Sequence, residues 1–138
     1  MEVNIYTDGG SRGNPGISGY GLVVYDSQDN IIHQQSQFLG TKTNNEAEYA
    51  AFLGALEWLR DNHQLHQITK VNFFADSQLM VRQLQGKYKV KSPNLKPLFQ
   101  QSQQLLKEIN LEYQFKDIRR HLNTLADELA NQAMDRRQ

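Results

Sequence analysis

Apolar residues in this chain keep a two-residue period as far as Phe38, then take up helical spacing from Asn44, and this switch restricts the fold more than any other feature. Glu2 to Asp8, Gly19 to Tyr25 and Ile31 to Phe38 alternate apolar with polar and are rich in β-branched and aromatic residues, so each reads as a strand. A glycine-dense stretch, Gly9 to Gly16, and the polar run Asp26 to Asn30 read as the turns between them. The opening is therefore expected to be an antiparallel meander. From Asn44 to Asn62, Ala47, Ala50, Ala51, Gly54, Ala55 and Trp58 fall on one helical face, and Thr43 with Glu46 forms a capping-box pattern at its start. A compact strand (Ile68 to Ala75), a short helix (Ser77 to Gln85, stopped by Gly86) and a basic loop (Lys87 to Pro93) follow. Leu95, Leu98, Ser102, Leu105, Leu106 and Ile109 mark a third helix, Leu111 to Ile118 a last strand, and Leu122 to Met134 a closing helix. Arg136 to Gln138 reads as a loose tail. The order βββαβααβα implies an α/β (mixed α+β) domain, with a mixed five-stranded sheet and helices on both faces.

Acids stand where apolar runs end. Asp8 closes Ile5-Tyr6-Thr7, and Asp76 closes Phe73-Phe74-Ala75. Glu48 lies early in the first helix and Asp127 in Ala126-Asp127-Glu128-Leu129-Ala130. A carboxylate at the end of a buried strand is desolvated and repels its neighbours unless a cation compensates. Mg²⁺ prefers a few carboxylates and keeps waters that a substrate displaces, so the pattern points to metal-assisted phosphodiester chemistry. Taken singly, the residues have plainer readings. Asp8 serves as a turn residue before Gly9, Asp76 as the cap of the helix starting at Ser77, and Asp127 or Glu128 as a solvated first-turn acid. Glu46 and Glu48 are two residues apart, about 200° around a helix, so only one can face the sheet. The capping box accounts for Glu46, which leaves Glu48.

Composition narrows the classes further. At 138 residues the chain suits one domain, 1–138. There is no cysteine, which excludes disulfides, thiolate metal sites and cysteine nucleophiles and fits a cytoplasmic setting. No apolar run reaches the ~18 residues of a membrane span, and Met1-Glu2-Val3 leads straight into a strand, so neither membrane insertion nor a leader is expected. Fifteen basic against 15 acidic residues predict only modest affinity for polyanions.

Thr7-Asp8-Gly9 with Gly13-Asn14-Pro15-Gly16, Thr43-Asn44-Asn45 with Glu48, Asp76-Ser77-Gln78, and Asn123 with Ala126 to Ala130 occur in this order along the whole chain. Together they resemble type 1 ribonuclease H (RNase HI), in its short-loop branch lacking the basic protrusion. The resemblance implies a ribonuclease H-like fold and an Asp8, Glu48, Asp76 and Asp127 set that is both catalytic and metal-binding. It implies two Mg²⁺ ions, with Mn²⁺ an alternative. It also implies endonucleolytic cleavage of the RNA strand of RNA–DNA hybrids, leaving 3′-hydroxyl and 5′-phosphate ends. Gly9, Asn14, Asn44, Asn45 and Gln78 resemble hybrid-contacting positions, and Thr43 with the helix start behind it suits a DNA phosphate. Recognition by sugar and shape implies little sequence specificity. A monomer is expected.

His121 stands only six residues before Asp127, so the long histidine loop of other family members is largely missing, and a catalytic role for it is the weaker reading. His33, His63 and His66 read as surface residues, Trp58 as core, and Arg119 and Arg120 as a solvated or basic rim. Lys87, Lys89 and Lys91 either track phosphates or form a solvated loop. Two rival functions remain: an exonuclease or transposase-type nuclease of the same fold, and a silent nucleic-acid-binding module.

Overall fold

The computed structural model describes residues 1–137, and Gln138, the last residue of the expected tail, lies outside them. Five strands form one mixed sheet in the order β3-β2-β1-β4-β5. They are β1 (Glu2–Gly13), β2 (Gly16–Tyr25), β3 (Ile31–Lys42), β4 (Lys70–Ala75) and β5 (Glu112–Asp117). β1–β2 and β2–β3 run antiparallel, while β1–β4 and β4–β5 run parallel. The helices are α1 (Asn44–Asn62), α2 (Gln78–Leu84), α3 (Lys96–Ile109) and α4 (Thr124–Arg136). A short 3₁₀ turn, Arg120–Leu122, precedes α4. The expected element order and mixed sheet are those observed.

The main core lies between the sheet and α1, α2 and α3. Val3, Ile5, Leu22, Val24, Val71 and Phe73 from the strands meet Phe52, Leu56, Leu105 and Leu106 there. α1 starts where the capping box placed it: Thr43 Oγ1 accepts from the Glu46 N–H at 3.1 Å, and Glu46 Oε1 accepts from the Thr43 N–H at 3.0 Å. α4 covers the opposite face over β1, β2 and β3 with Ala126, Leu129, Ala130, Ala133 and Met134. It lies close because β2 carries Gly21, where a Cβ would collide with the Ala126 carbonyl.

Three readings are corrected. Gly9 to Gly16 is mostly strand: β1 runs on to Gly13, β2 begins at Gly16, and the expected turn shrinks to Asn14 and Pro15. Glycine there serves close packing more than reversal. At Gly9 a Cβ would strike the Ala47 carbonyl, so that side of its backbone is turned to α1 and not open to a ligand. Likewise, Asp8 is not at the end of its strand, since β1 continues past it while β4 stops at Ala75. Finally, His33 and His66 are half-buried and each stacks on Trp58, with centroids 5.3 and 5.7 Å away, and His63 Nδ1 lies 2.7 Å from the Leu59 carbonyl oxygen. They pack against the helix end instead of standing free in solvent.

Candidate active site

The parallel register of β1 and β4 ends with Thr7 beside Ala75, so Asp8 in β1 and Asp76, just past the end of β4, occupy the next positions. Beyond Ala75, β1 has no strand on that side. The Gly9 N–H is taken up instead by Glu48 Oε1, 2.5 Å away, from the second turn of α1. The collision space at Gly9 is what lets α1 approach closely enough for this bond. Asp8, Glu48 and Asp76 thus each offer a carboxylate oxygen within 4.8 Å of the others. Asp127, in the first turn of α4, lies outside this trio but near enough that its charge helps raise the Asp8 carboxyl, and its own Oδ2 accepts from Asn131 Nδ2 at 3.3 Å. The helix facing follows the sequence reading: Glu48 is buried toward the sheet and Glu46 is engaged in the cap.

The electrostatics of this group are unfavourable without a cation. Two like charges ~4 Å apart repel by about 4 kcal/mol in a partly screened interior. Burial, then the charge of Asp76, raise the Asp8 carboxyl from 3.8 to about 8. Burial and the charges of Asp8 and Asp76 push Glu48 well above the ordinary carboxylate range, against the opposing pull of the Gly9 N–H. Burial also raises Asp76, while the Asn123 amide and the Arg120 charge act the other way. Among the described residues the ion pairs are Arg12–Asp135 and Arg60–Asp61, neither in this group. Glu48 Oε2 is buried with no hydrogen-bond partner. Clustered hard oxygen donors, an orphaned carboxylate oxygen and no pairing side chain fit a divalent cation.

One residue escaped the sequence reading. Asn123 stands in one of the sequence motifs with no role assigned to it, and in the structure it occupies the N-cap position of α4, where asparagine usually caps. Its side chain makes no cap bond. Instead Nδ2 donates to the Thr7 carbonyl at 2.9 Å and to Asp76 Oδ2 at 3.3 Å. The Asn-then-Asp127 spacing was visible, but nothing in it told an inward-turned amide from an ordinary cap.

Beside Asp76, a cleft of about 630 Å³ is lined by Asp76, Gln78, Asp117, Ile118, Arg119 and Arg120, so both arginines border the site as a basic rim. His121 is exposed on the 3₁₀ turn, outside the residues lining that cleft. Asn14 and Asn44 come together: Asn14 Oδ1 accepts from the Asn44 N–H at 3.0 Å, and Asn44 Oδ1 accepts from the Ser11 N–H at 2.9 Å. Both amide oxygens are thereby occupied, and the Nδ2 groups remain as donors. Asn45 and Gln78 are exposed at the starts of α1 and α2. Lys87, Lys89 and Lys91 are exposed on a loop pinned by the buried Val90.

Glu46 and Glu48 offer a sharp contrast. Glu46→Gln is expected to leave hydrolysis within about twofold and cost under ~1 kcal/mol, because glutamine also closes a capping box. Glu48→Gln should lower turnover at least about 100-fold, ~2.7 kcal/mol in the barrier, while leaving circular dichroism unchanged. Steady-state rates that rank the two in reverse would overturn the assigned facing of α1.

The chain as a whole is similar to several known proteins. A family model described as reverse transcriptase-like matches residues 6–133. The bifunctional protein Rv2228c of Mycobacterium tuberculosis is 41% identical over 98% of this chain, and the match covers 36% of that protein. The chain thus spans about a third of the length of such relatives. A ribonuclease H of Ruthia magnifica is 32% identical, over 98% of this chain and 97% of its own length. The solved structure of LC11-RNase H1 with an RNA/DNA hybrid superposes with a TM-score of 0.90 at 42% identity, covering 98% of each chain.

Proposed function

The chain belongs to the ribonuclease H family, and on that footing we propose that it is a metal-dependent endoribonuclease hydrolysing the RNA strand of RNA–DNA hybrids. The proposal covers residues 1–138 as one catalytic domain acting as a monomer in the cytoplasm, and no described helix is long and apolar enough to cross a membrane. The observation that carries it is the trio Asp8, Glu48 and Asp76, whose carboxylate oxygens lie within 4.8 Å of one another, with a buried Glu48 oxygen left unpartnered.

With Asp127, these residues would hold two Mg²⁺ ions, Mn²⁺ being able to replace them. Bound there, the ions would supply charge stabilisation and an activated water for phosphodiester hydrolysis, with 3′-hydroxyl and 5′-phosphate ends as the expected products. Everything else falls to the protein's own side chains. Glu48 is fixed by the Gly9 N–H through one oxygen and keeps the other for the site. Asn123 orients Asp76. Arg119 and Arg120 stand where they offset phosphate charge on the strand entering the cleft. The spare Nδ2 donors of Asn14 and Asn44, with Asn45 and Gln78, suit 2′-hydroxyls and base-edge acceptors in a minor groove, a readout of sugar and shape with little base identity. Thr43 at the N-terminus of α1 suits a phosphate of the DNA strand. No protein nucleophile is required, so the rate enhancement rests on positioning and charge stabilisation.

The test is a labelled RNA–DNA hybrid beside matched DNA and RNA duplexes, with Mg²⁺ and with chelator. The RNA strand of the hybrid should be cut to 3′-hydroxyl ends, and only with metal. Equal cutting of duplex DNA would favour the exonuclease or transposase type. Hybrid binding without any cutting would favour the silent module.

A further inference from the structure

Asn123 is 1% exposed and sits between three elements that carry the acids. Its Nδ2 spans β1, through the Thr7 carbonyl just before Asp8, and the end of β4, through Asp76 Oδ2. Its backbone carbonyl accepts the Asp127 N–H at 3.1 Å, and its own N–H donates to the Arg120 carbonyl at 3.0 Å. Its Oδ1 is buried with no partner, and the side chain forgoes the cap bond available at that position. A buried amide that breaks a local rule and leaves an acceptor unsatisfied marks a site where geometry has been favoured over stability.

We propose that Asn123 is a positioning residue that clamps Asp76 against the β1 backbone and so sets the spacing of the carboxylates toward a divalent cation. This rests on the reading of the four acids as a metal site. The chemistry of the donor matters. A lysine or arginine in this place would orient Asp76 and also neutralise it, competing with the cation. A neutral amide orients one oxygen and leaves the carboxylate charge in place. Because the same residue accepts from the Asp127 N–H, one rigid group references three of the four acids to each other. Outer partners of this kind typically change metal affinity by about 10- to 100-fold when removed.

The experiment uses Asn123→Ala and Asn123→Leu, the second retaining bulk without a donor. Mg²⁺ binding is followed by calorimetric titration and by the Mg²⁺-induced rise in Tm, and hybrid affinity by anisotropy in chelator. Both variants should need at least about tenfold more Mg²⁺ for half-saturation at temperatures well below their Tm. Metal-free hybrid affinity should stay within about twofold. A residue that merely supports the fold would lower Tm and leave Mg²⁺ half-saturation unchanged, and that outcome overturns the proposal. Should the alanine variant fail to fold, the leucine variant decides by the same criterion. Failure of both to fold also rejects it, since the role is then structural. Wild-type protein that binds no Mg²⁺ at the acids removes the metal reading itself, whereas wild-type binding with unaltered variants removes only the role of Asn123.

Discussion

Asp8→Asn will abolish cleavage of the hybrid and, in the absence of metal, make the protein more stable. The two effects share one cause. Asp8 is a buried carboxyl held beside Asp76, Glu48 and Asp127, and these surroundings raise it from 3.8 to about 8. Near neutrality its ionised form is strongly disfavoured by the fold, and the displacement corresponds to several kcal/mol as an upper bound, about 1.4 kcal/mol for each tenfold change. Asparagine keeps the shape and removes the charge. After relaxation of the site we expect a gain of ~1–3 kcal/mol, a rise in Tm of several degrees in chelator. Losing a ligand of the cation should reduce turnover at least about 1,000-fold, ~4 kcal/mol in the barrier. Asp76→Asn should follow the same pattern with a smaller stability gain, because the Asn123 amide and the Arg120 charge already ease that carboxylate. A variant both active and less stable in chelator would contradict the assignment of Asp8.

The same carboxyls make stability depend on pH in a direction opposite to that of ordinary paired acids. Asp8, Glu48 and Asp76 are all raised in the folded protein. A group raised on folding stabilises fully below its unfolded value, and that contribution disappears as pH climbs through the folded one. For Asp8 the window runs from about pH 4 to about pH 8. In chelator, the Tm of wild type relative to Asp8→Asn should therefore fall across this interval. Saturating Mg²⁺ binds the ionised form, so the stabilisation it confers should grow over the same interval. Calorimetric scans at pH 5, 6, 7 and 8, with and without Mg²⁺, read both trends. A wild-type-minus-variant difference that rises with pH in chelator would show that these acids are not mutually strained.

Local chemistry determined which parts were legible in the sequence. The start of α1 could be read because Thr43 and Glu46 satisfy each other within four residues, and that cap in turn assigned the inward face to Glu48. The adjacency of Asp8 and Asp76 followed from a parallel crossover, since the β1–β4 register needs only the strand pattern. The stretch from Gly9 to Gly16 misled because glycine permits both reversal and close approach. Only the position of α1 shows that Gly9 serves the second. Asn123 was hidden for a related reason: the sequence records an amide at a helix start, and whether it caps or turns inward depends on Thr7 and Asp76, more than 40 residues away in the chain. For the arginines at 119 and 120 the sequence leaves solvated charge and a basic rim both open, and only the path of the chain after β5 brings them to the cleft beside Asp76.

Crystals soaked in Mn²⁺ and measured at the manganese absorption edge give the most direct test. Anomalous density should appear among Asp8, Glu48, Asp76 and Asp127, within bonding distance of the unpartnered Glu48 oxygen. A saturating soak that leaves these carboxylates without a peak, or that places manganese elsewhere on the molecule, would contradict the reading of this cluster as a cation site.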